Sequence, residues 1–442
     1  MIKIFNKYLF KIIAVVIAVV CLNCATGLAQ SKTDSTRLGA DSVKLKTDSI
    51  KLATDSAEYQ VKDIGDVLFK KKKGKNPKPQ KNSFFLAIPV IGSQPATGFM
   101  FGLTGQYTFK GPKPDDKYST VNLSATYTTK NQLLINMKNN VLLSNNKIFL
   151  SGDWRFYIFS QPNYGLGTDI IPPRDEDPDF SLDDLSEPMD YNYLKFHQTA
   201  SWLVSEHFYV GAGVHFDGYS SIDDKKLDTA NHIYTAHYNY NVKYGFDPEN
   251  YSVNGASLNL LYDSRDNQIN PNRGWYGNVN FRINPKLGKN QASSNVLFAE
   301  MRYFRPLSKR NLQHVWGIWA FGQFVTSGKV PYLNLPSIGW DQRSRSGKGY
   351  TQGVFRGDNM LYLETEYRFP ISKNQLFSGT VFGDFTTASD KDRGVKLFET
   401  IQPAVGVGFR ILLDKATRTN LIFNYAWANR SKAFYLNAGE SF

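Results

Sequence analysis

The sequence predicts an all-β fold: a sixteen-stranded antiparallel transmembrane β-barrel with a mostly disordered N-terminal periplasmic tail. Three observations predict it. Aromatic residues make up 14% of the 442 residues, with 31 Phe and 25 Tyr, yet mean hydropathy is only −0.38. A barrel reconciles the two, because only alternate strand residues face lipid and aromatic girdles mark its rims. From residue 83 onward the apolar period is two, the period of a strand with one wet face. Beyond the first 30 residues no apolar run reaches the length of a spanning helix. Backbone groups in lipid must then pair within a closed sheet. Composition alone leaves a soluble β-rich protein open as the alternative.

Residues 1–29 read as a signal peptide. Lys3, Lys7 and Lys11 precede an apolar core at 12–20, and Gly27-Leu28-Ala29 offers small residues for cleavage before Gln30. A retained anchor helix is the competing reading. Both cysteines, Cys21 and Cys24, lie in this segment. The mature chain then holds no disulfide, zinc–thiolate site or cysteine nucleophile.

Residues 30–82 read as a disordered periplasmic tail. Residues 33–60 hold four copies of a seven-residue pattern: TDSTRLG, ADSVKLK, TDSIKLA and TDSAEYQ. Apolar spacings of two and five build no coiled-coil seam, and Asp-Ser competes with helix backbone bonds. A lysine-rich block follows at 70–81. Lys and Arg outnumber Asp and Glu 16 to 7 over residues 1–82, so +9 of the net +13 charge lies there. For an exported chain this block suits phospholipid headgroups, or a solvated charge run, and not nucleic acid.

Residues 83–442 form the barrel. Leu123, Ala125 and Tyr127 alternate with Asn122, Ser124 and Thr126. Leu258, Leu260 and Tyr262 alternate with Ser257, Asn259 and Asp263, although Leu261 breaks the polar set. The expected strands are 83–92, 98–109, 118–128, 131–143, 147–159, 193–204, 207–217, 252–263, 273–284, 294–305, 313–326, 359–369, 375–386, 401–412, 419–428 and 433–442. An even count leaves both ends in the periplasm. The long links, 160–192, 218–251 and 327–358, then all fall outside, and short turns fall inside, as in outer-membrane barrels.

Several motifs resemble the BamA/TamA superfamily, the bacterial surface antigen barrels. They are Asp263-Ser264-Arg265-Asp266-Asn267 with Asn270-Pro271-Asn272-Arg273-Gly274-Trp275, and Gly353-Val354-Phe355-Arg356-Gly357 ahead of Glu366-Tyr367-Arg368-Phe369-Pro370. The start of the barrel, 89–98, resembles the family's first hairpin. Phe434 to Phe442 resembles its closing strand, with Tyr435 and the terminal Phe442 as the assembly signal. The resemblance implies a sixth external loop folded into the lumen, carrying Phe355, Arg356 and Gly357. It also implies that Arg356 is held by Asp384 of Phe382-Gly383-Asp384, with Glu366 and Glu364 as further acidic partners. Three features depart from the family pattern. Asp358 and Thr386 replace an aromatic and a glycine, and residues 30–82 are too few and too polar for a POTRA domain.

Pro89 in the first strand donates no hydrogen bond, and Gly439 weakens the last. The seam between them is expected to be the least stable pairing. The chemistry of an enzyme is missing: no Gly-x-Ser-x-Gly elbow occurs, Ser346-Gly347-Lys348-Gly349 lacks phosphate-loop spacing, and the histidines show no metal spacing. No cofactor is expected. The leading expectation is a barrel integral to the outer membrane that helps insert or translocate proteins, or moves lipid. Its partners would be outer-membrane lipids, client outer-membrane proteins or periplasmic assembly factors. A passive pore, surface receptor or adhesin is the alternative.

Overall fold

A computed structural model describes residues 61–68 and 83–439, apart from 95–97, 112, 114–115, 170–179, 288–292, 310, 312 and 416. The signal peptide, the repeat, the lysine block and Phe442 lie outside the described residues.

All sixteen expected strands are present. They are β1 (Ser83–Gln94), β2 (Gly98–Phe109), β3 (Ser119–Thr128), β4 (Leu133–Leu143), β5 (Ile148–Asn163), β6 (Glu187–Ser205), β7 (Phe208–Asp224) and β8 (Tyr251–Asp263). They continue with β9 (Gly274–Asn284), β10 (Ser294–Pro306), β11 (Val315–Gly328), β12 (Asn359–Pro370), β13 (Phe377–Ala388), β14 (Gln402–Asp414), β15 (Thr419–Ala428) and β16 (Ser431–Gly439). Each pairs antiparallel with the next in one sixteen-stranded sheet. The alternation sorts as expected. Leu123, Tyr127, Leu258, Leu260, Val405 and Val407 are exposed on the outer face, while Glu364, Glu366, Arg368 and Asp384 are buried inside. Leu261, the apparent break in pattern, points inward and packs with Phe149 and Tyr209.

The expected ends are furthest off at three strands. β5 ends at 163, not 159; β6 begins at 187, not 193; β7 ends at 224, not 217. Their polar tips, among them Gln161, Asp190 and Asp223, have loop composition. The intervening Phe159, Tyr191 and Tyr219 are nevertheless buried in an aromatic cluster at the long-loop end. That cluster also takes Tyr240 from a helix, α2 (Ala236–Lys243), and Tyr332, Leu333 and Leu335 from the loop after β11.

At the short-turn end, part of the stretch read as a disordered tail is ordered. A five-residue helix, α1 (Ile64–Leu68), sits beside β14. Lys62 N–H donates to the Asn374 carbonyl at 3.0 Å, and Lys415 pairs with Asp66. No helix among the described residues is long and apolar enough to cross a membrane.

Candidate functional site

The 329–358 loop between β11 and β12 fills much of the interior. Its Ile338, Tyr350, Val354 and Phe355 pack on inward Phe304, Trp319, Met360 and Tyr362. Gly349, at φ +94°, lets it lie on a floor of small residues: a Cβ there would meet Ala428, Ala404 and Ala426. Tyr350 OH donates to the Pro403 carbonyl at 2.8 Å.

Charge holds the loop as well. Lys348 Nζ donates to Glu364, lies 4.0 Å from Glu366 and sits 4.2 Å over the Phe382 ring. Tyr362 OH donates to the second Glu364 oxygen at 2.7 Å. Arg368 and Arg410 hold Glu366 from the wall. Asp384 is buried beside this set, with neither oxygen hydrogen-bonded. A buried cation amid carboxylates is costly to unpair, so the contact fixes the loop's depth.

The expected pairing of Arg356 with Asp384, Glu366 or Glu364 is not the arrangement found. Among the described residues no carboxylate pairs with Arg356. Its Nη1 donates to the carbonyls of Tyr332 and Leu333 at 3.1 and 3.0 Å, and its guanidinium lies 5.3 Å from the Tyr332 ring. Position explains the difference. Arg356 lies three residues before β12, whereas Glu364 is the sixth residue of that strand, roughly 17 Å further along it. The cation that reaches the acids is therefore Lys348, in the middle of the loop. A lone lysine flanked by glycines, opposite three inward carboxylates, was the available signal.

Arg356 instead closes the loop on itself. Its carbonyl accepts from Gly167 N–H at 2.7 Å, and Phe355 carbonyl accepts from Ile338 N–H at 3.0 Å. Gly357 passes so close to β13's end that a Cβ would lie 2.1 Å from the Ser389 carbonyl oxygen. Asp358, which stands where the family pattern has an aromatic, accepts from Lys391 N–H at 3.0 Å and faces Lys329 at 3.6 Å. Above the loop, His237 of α2 is bonded to Asn241 and lies edge-on to Tyr332. Burial holds the His237 ring below its ordinary pKa, so it packs as a neutral group.

The turn at 264–273 reaches up from the other end. Asp266 accepts the N–H groups of Asn272 and Arg273 at 2.9 and 3.2 Å and pairs with Arg418 at 2.7 Å. Arg368 donates to Asn270 and to the Pro271 carbonyl. Arg343, from the loop, donates to the Gln268 carbonyl at 3.1 Å. Loop and turn thus meet inside the barrel.

At the seam, no hydrogen-bonded ladder joins β1 to β16 among the described residues, although the strands lie side by side. Gln106 of β2 donates to Thr419 of β15 at 3.2 Å, bridging behind them. A cavity of about 490 Å³ lies between this seam and the loop. Leu86 and Pro89, on opposite faces of β1, both line it, and so does every residue from Ser431 to Asn437. Both faces of a strand line one cavity only where the strand's edge is open to it. Gly439 pairs with Asn420 at the other end of β16. Tyr435 is tied to the loop: its hydroxyl accepts from Gly349 N–H at 2.9 Å.

The Omp85 superfamily domain matches residues 194–442, more than half of the chain. The chain belongs to the Omp85 superfamily. This Omp85 barrel is thus the outer-membrane surface-antigen type that the hairpin and loop motifs anticipated. Among solved structures, BamA from Haemophilus ducreyi lacking POTRA domains 1-3 is similar at 14% identity, over 82% of this chain and 70% of that one, with a TM-score of 0.49. CdiB from Acinetobacter baumannii is similar at 13% identity, over 82% of this chain and 60% of that one, with a TM-score of 0.49. CdiB from Escherichia coli gives 10%, 82%, 62% and 0.48. No curated protein matches the chain in sequence.

Proposed function

We propose that this Omp85 barrel assists the insertion or translocation of polypeptides at the outer membrane, with its N-terminus in the periplasm. The reading rests chiefly on the seam. Among the described residues no ladder joins β16 to β1, its edge lies against the cavity, and an incoming strand could add to such an edge through backbone bonds. The pinned loop supports the same reading. It fills the lumen with buried ion pairs, which suits a gated wall better than a standing open pore. The work needs no covalent chemistry: it is done by a weak ladder and a locally disturbed bilayer. Phe355, Arg356 and Gly357 shape the loop's end, Lys348 with Glu364 and Glu366 sets its depth, and Pro89, Gly439 and Tyr435 belong to the gate.

The test is to place the purified full chain in liposomes and follow folding of an unfolded outer-membrane barrel. Acceleration is expected, and it should fall when Lys348 or Arg356 is replaced. A folded, stable barrel that gives no acceleration transfers the assignment to a passive pore, receptor or adhesin.

A further inference from the structure

The cavity behind the seam has a one-sided charge. Lys138, Arg343, Arg345 and Lys432 line it, and not one lining residue is an Asp or Glu. The second lumenal cavity, about 280 Å³, differs: Asp153, Asp217 and Glu300 there face Lys195, Arg282 and Arg302. Two of these cations, Lys138 and Arg343, have no acidic side-chain partner among the described residues. Among the described residues the Lys138 ammonium makes no ion pair or hydrogen bond, and the Arg343 guanidinium bonds only the Gln268 carbonyl. Asp153, opposite Lys138 on β5, is already held by Arg155 and Lys195. Asp341, beside Arg343, accepts from the N–H groups of Arg343, Arg345 and Ser346. The remaining wall from β3 and β4 offers neutral donors and acceptors such as Asn122, Ser124 and Asn140. Such a site suits a compact anion with several acceptor oxygens.

The same cavity touches the seam, where no ladder joins β1 to β16 among the described residues. Phe85 of β1 and Phe434 of β16 are exposed on the outer face beside that seam. An anion entering there can keep apolar chains outside, against these rings, while its polar end is inside.

We propose that this cavity is a site for the phosphate-bearing headgroup of a membrane lipid, held by Lys138 and Arg343. Its volume fits a headgroup and is too small for a folded segment of polypeptide. The inference deepens the reading above by naming a substrate class. Lipid access rests on the seam, whereas anion binding rests only on the cavity.

The experiment is native mass spectrometry of the full chain in detergent, incubated with phosphatidylglycerol, diacylglycerol or glycerol phosphate. Phosphatidylglycerol should be retained, diacylglycerol should not, and glycerol phosphate should bind more weakly than the lipid. Removing one charge-assisted contact, by Lys138→Gln or Arg343→Gln, should cut retention about tenfold. Asn122→Asp places a carboxylate directly across the sheet from Lys138 and should do the same. Heat-modifiable gel migration identifies the variants that remain folded. Equal retention by folded variants overturns the proposal, as does equal retention of diacylglycerol. Glycerol phosphate binding as tightly as the lipid reassigns the site to free anions. Full displacement by an acidic peptide reassigns it to polypeptide. In a barrel with β1 cross-linked to β16 beforehand, lipid loading should fail while glycerol phosphate still enters. Lipid that loads a locked barrel sinks the seam reading and leaves the headgroup site standing.

Discussion

Lys348 and Gly357 are the residues on which the lumenal loop depends most, for different reasons. Lys348 is almost wholly buried with Glu364 and near Glu366. Replacing it by Met strands the buried Glu364 carboxylate, since Glu366 keeps Arg368 and Arg410, and a broken buried pair costs about 3–5 kcal/mol. Lys348→Met should therefore lower the denaturant midpoint and open the 329–358 loop to trypsin. Adding Glu364→Gln should restore part of the loss, because the stranded charge goes with it. Gly357→Ala acts through shape: its methyl would collide with the Ser389 carbonyl. Since that contact is backbone, relief requires moving the end of β13, and proteolysis of the loop should rise without any change in charge.

The turn at 264–273 behaves as a folded element, not a simple link. Asp266 organises it by accepting two backbone N–H groups and pairing with Arg418. Asp266→Ala should leave the barrel intact but raise amide exchange across 264–273, since charge-assisted hydrogen bonds contribute about 1.5–3 kcal/mol each when not fully exposed. Unchanged exchange would show that Arg368 alone holds the turn. The loop contact at Gln268 makes a second expectation: loosening the turn should also raise exchange near Arg343, but not near Arg356, which is bonded at the opposite end of the loop.

Across the whole barrel, stability is unevenly spread. Among the described residues fifteen strand pairs carry ladders, whereas none joins β1 to β16. Cysteines can test this directly, because the only native ones, Cys21 and Cys24, precede the barrel. Pairs placed across residues 84–88 and 434–438 should cross-link and stop assembly activity, and reduction should restore it. Efficient cross-linking with activity unchanged would rule out a working gate. Tyr435→Phe removes the hydroxyl that ties β16 to Gly349. It should make the same cross-links form more slowly, because β16 then samples more positions.

Strand number, direction and facing could all be read from the chain. A strand in a barrel wall has one partner environment per face, so alternation such as Leu258-Asn259-Leu260 states its orientation locally. Leu261 shows the limit, since its inward place depends on Phe149 and Tyr209, far away in sequence. The ends of β5, β6 and β7 were unreadable for the same reason: the burial of Phe159, Tyr191 and Tyr219 is supplied in part by a loop that arrives from residues 329–358. The family motif pointed to the 329–358 loop and to Asp384, Glu366 and Glu364 as partners of its arginine, and Asp384 is left without a hydrogen bond. It named Arg356 where the fold brings in Lys348, because sequence order does not say how deep a loop descends. The one-signed cavity was equally hidden. Lys138 and Arg343 lie 205 positions apart in the numbering, and only closure of the sheet around the loop sets them at one wall. Local periodicity settles what each strand is, because lipid and lumen act residue by residue. Tertiary packing alone settles which charges meet, because Coulomb and hydrogen-bond partners are chosen by distance in space.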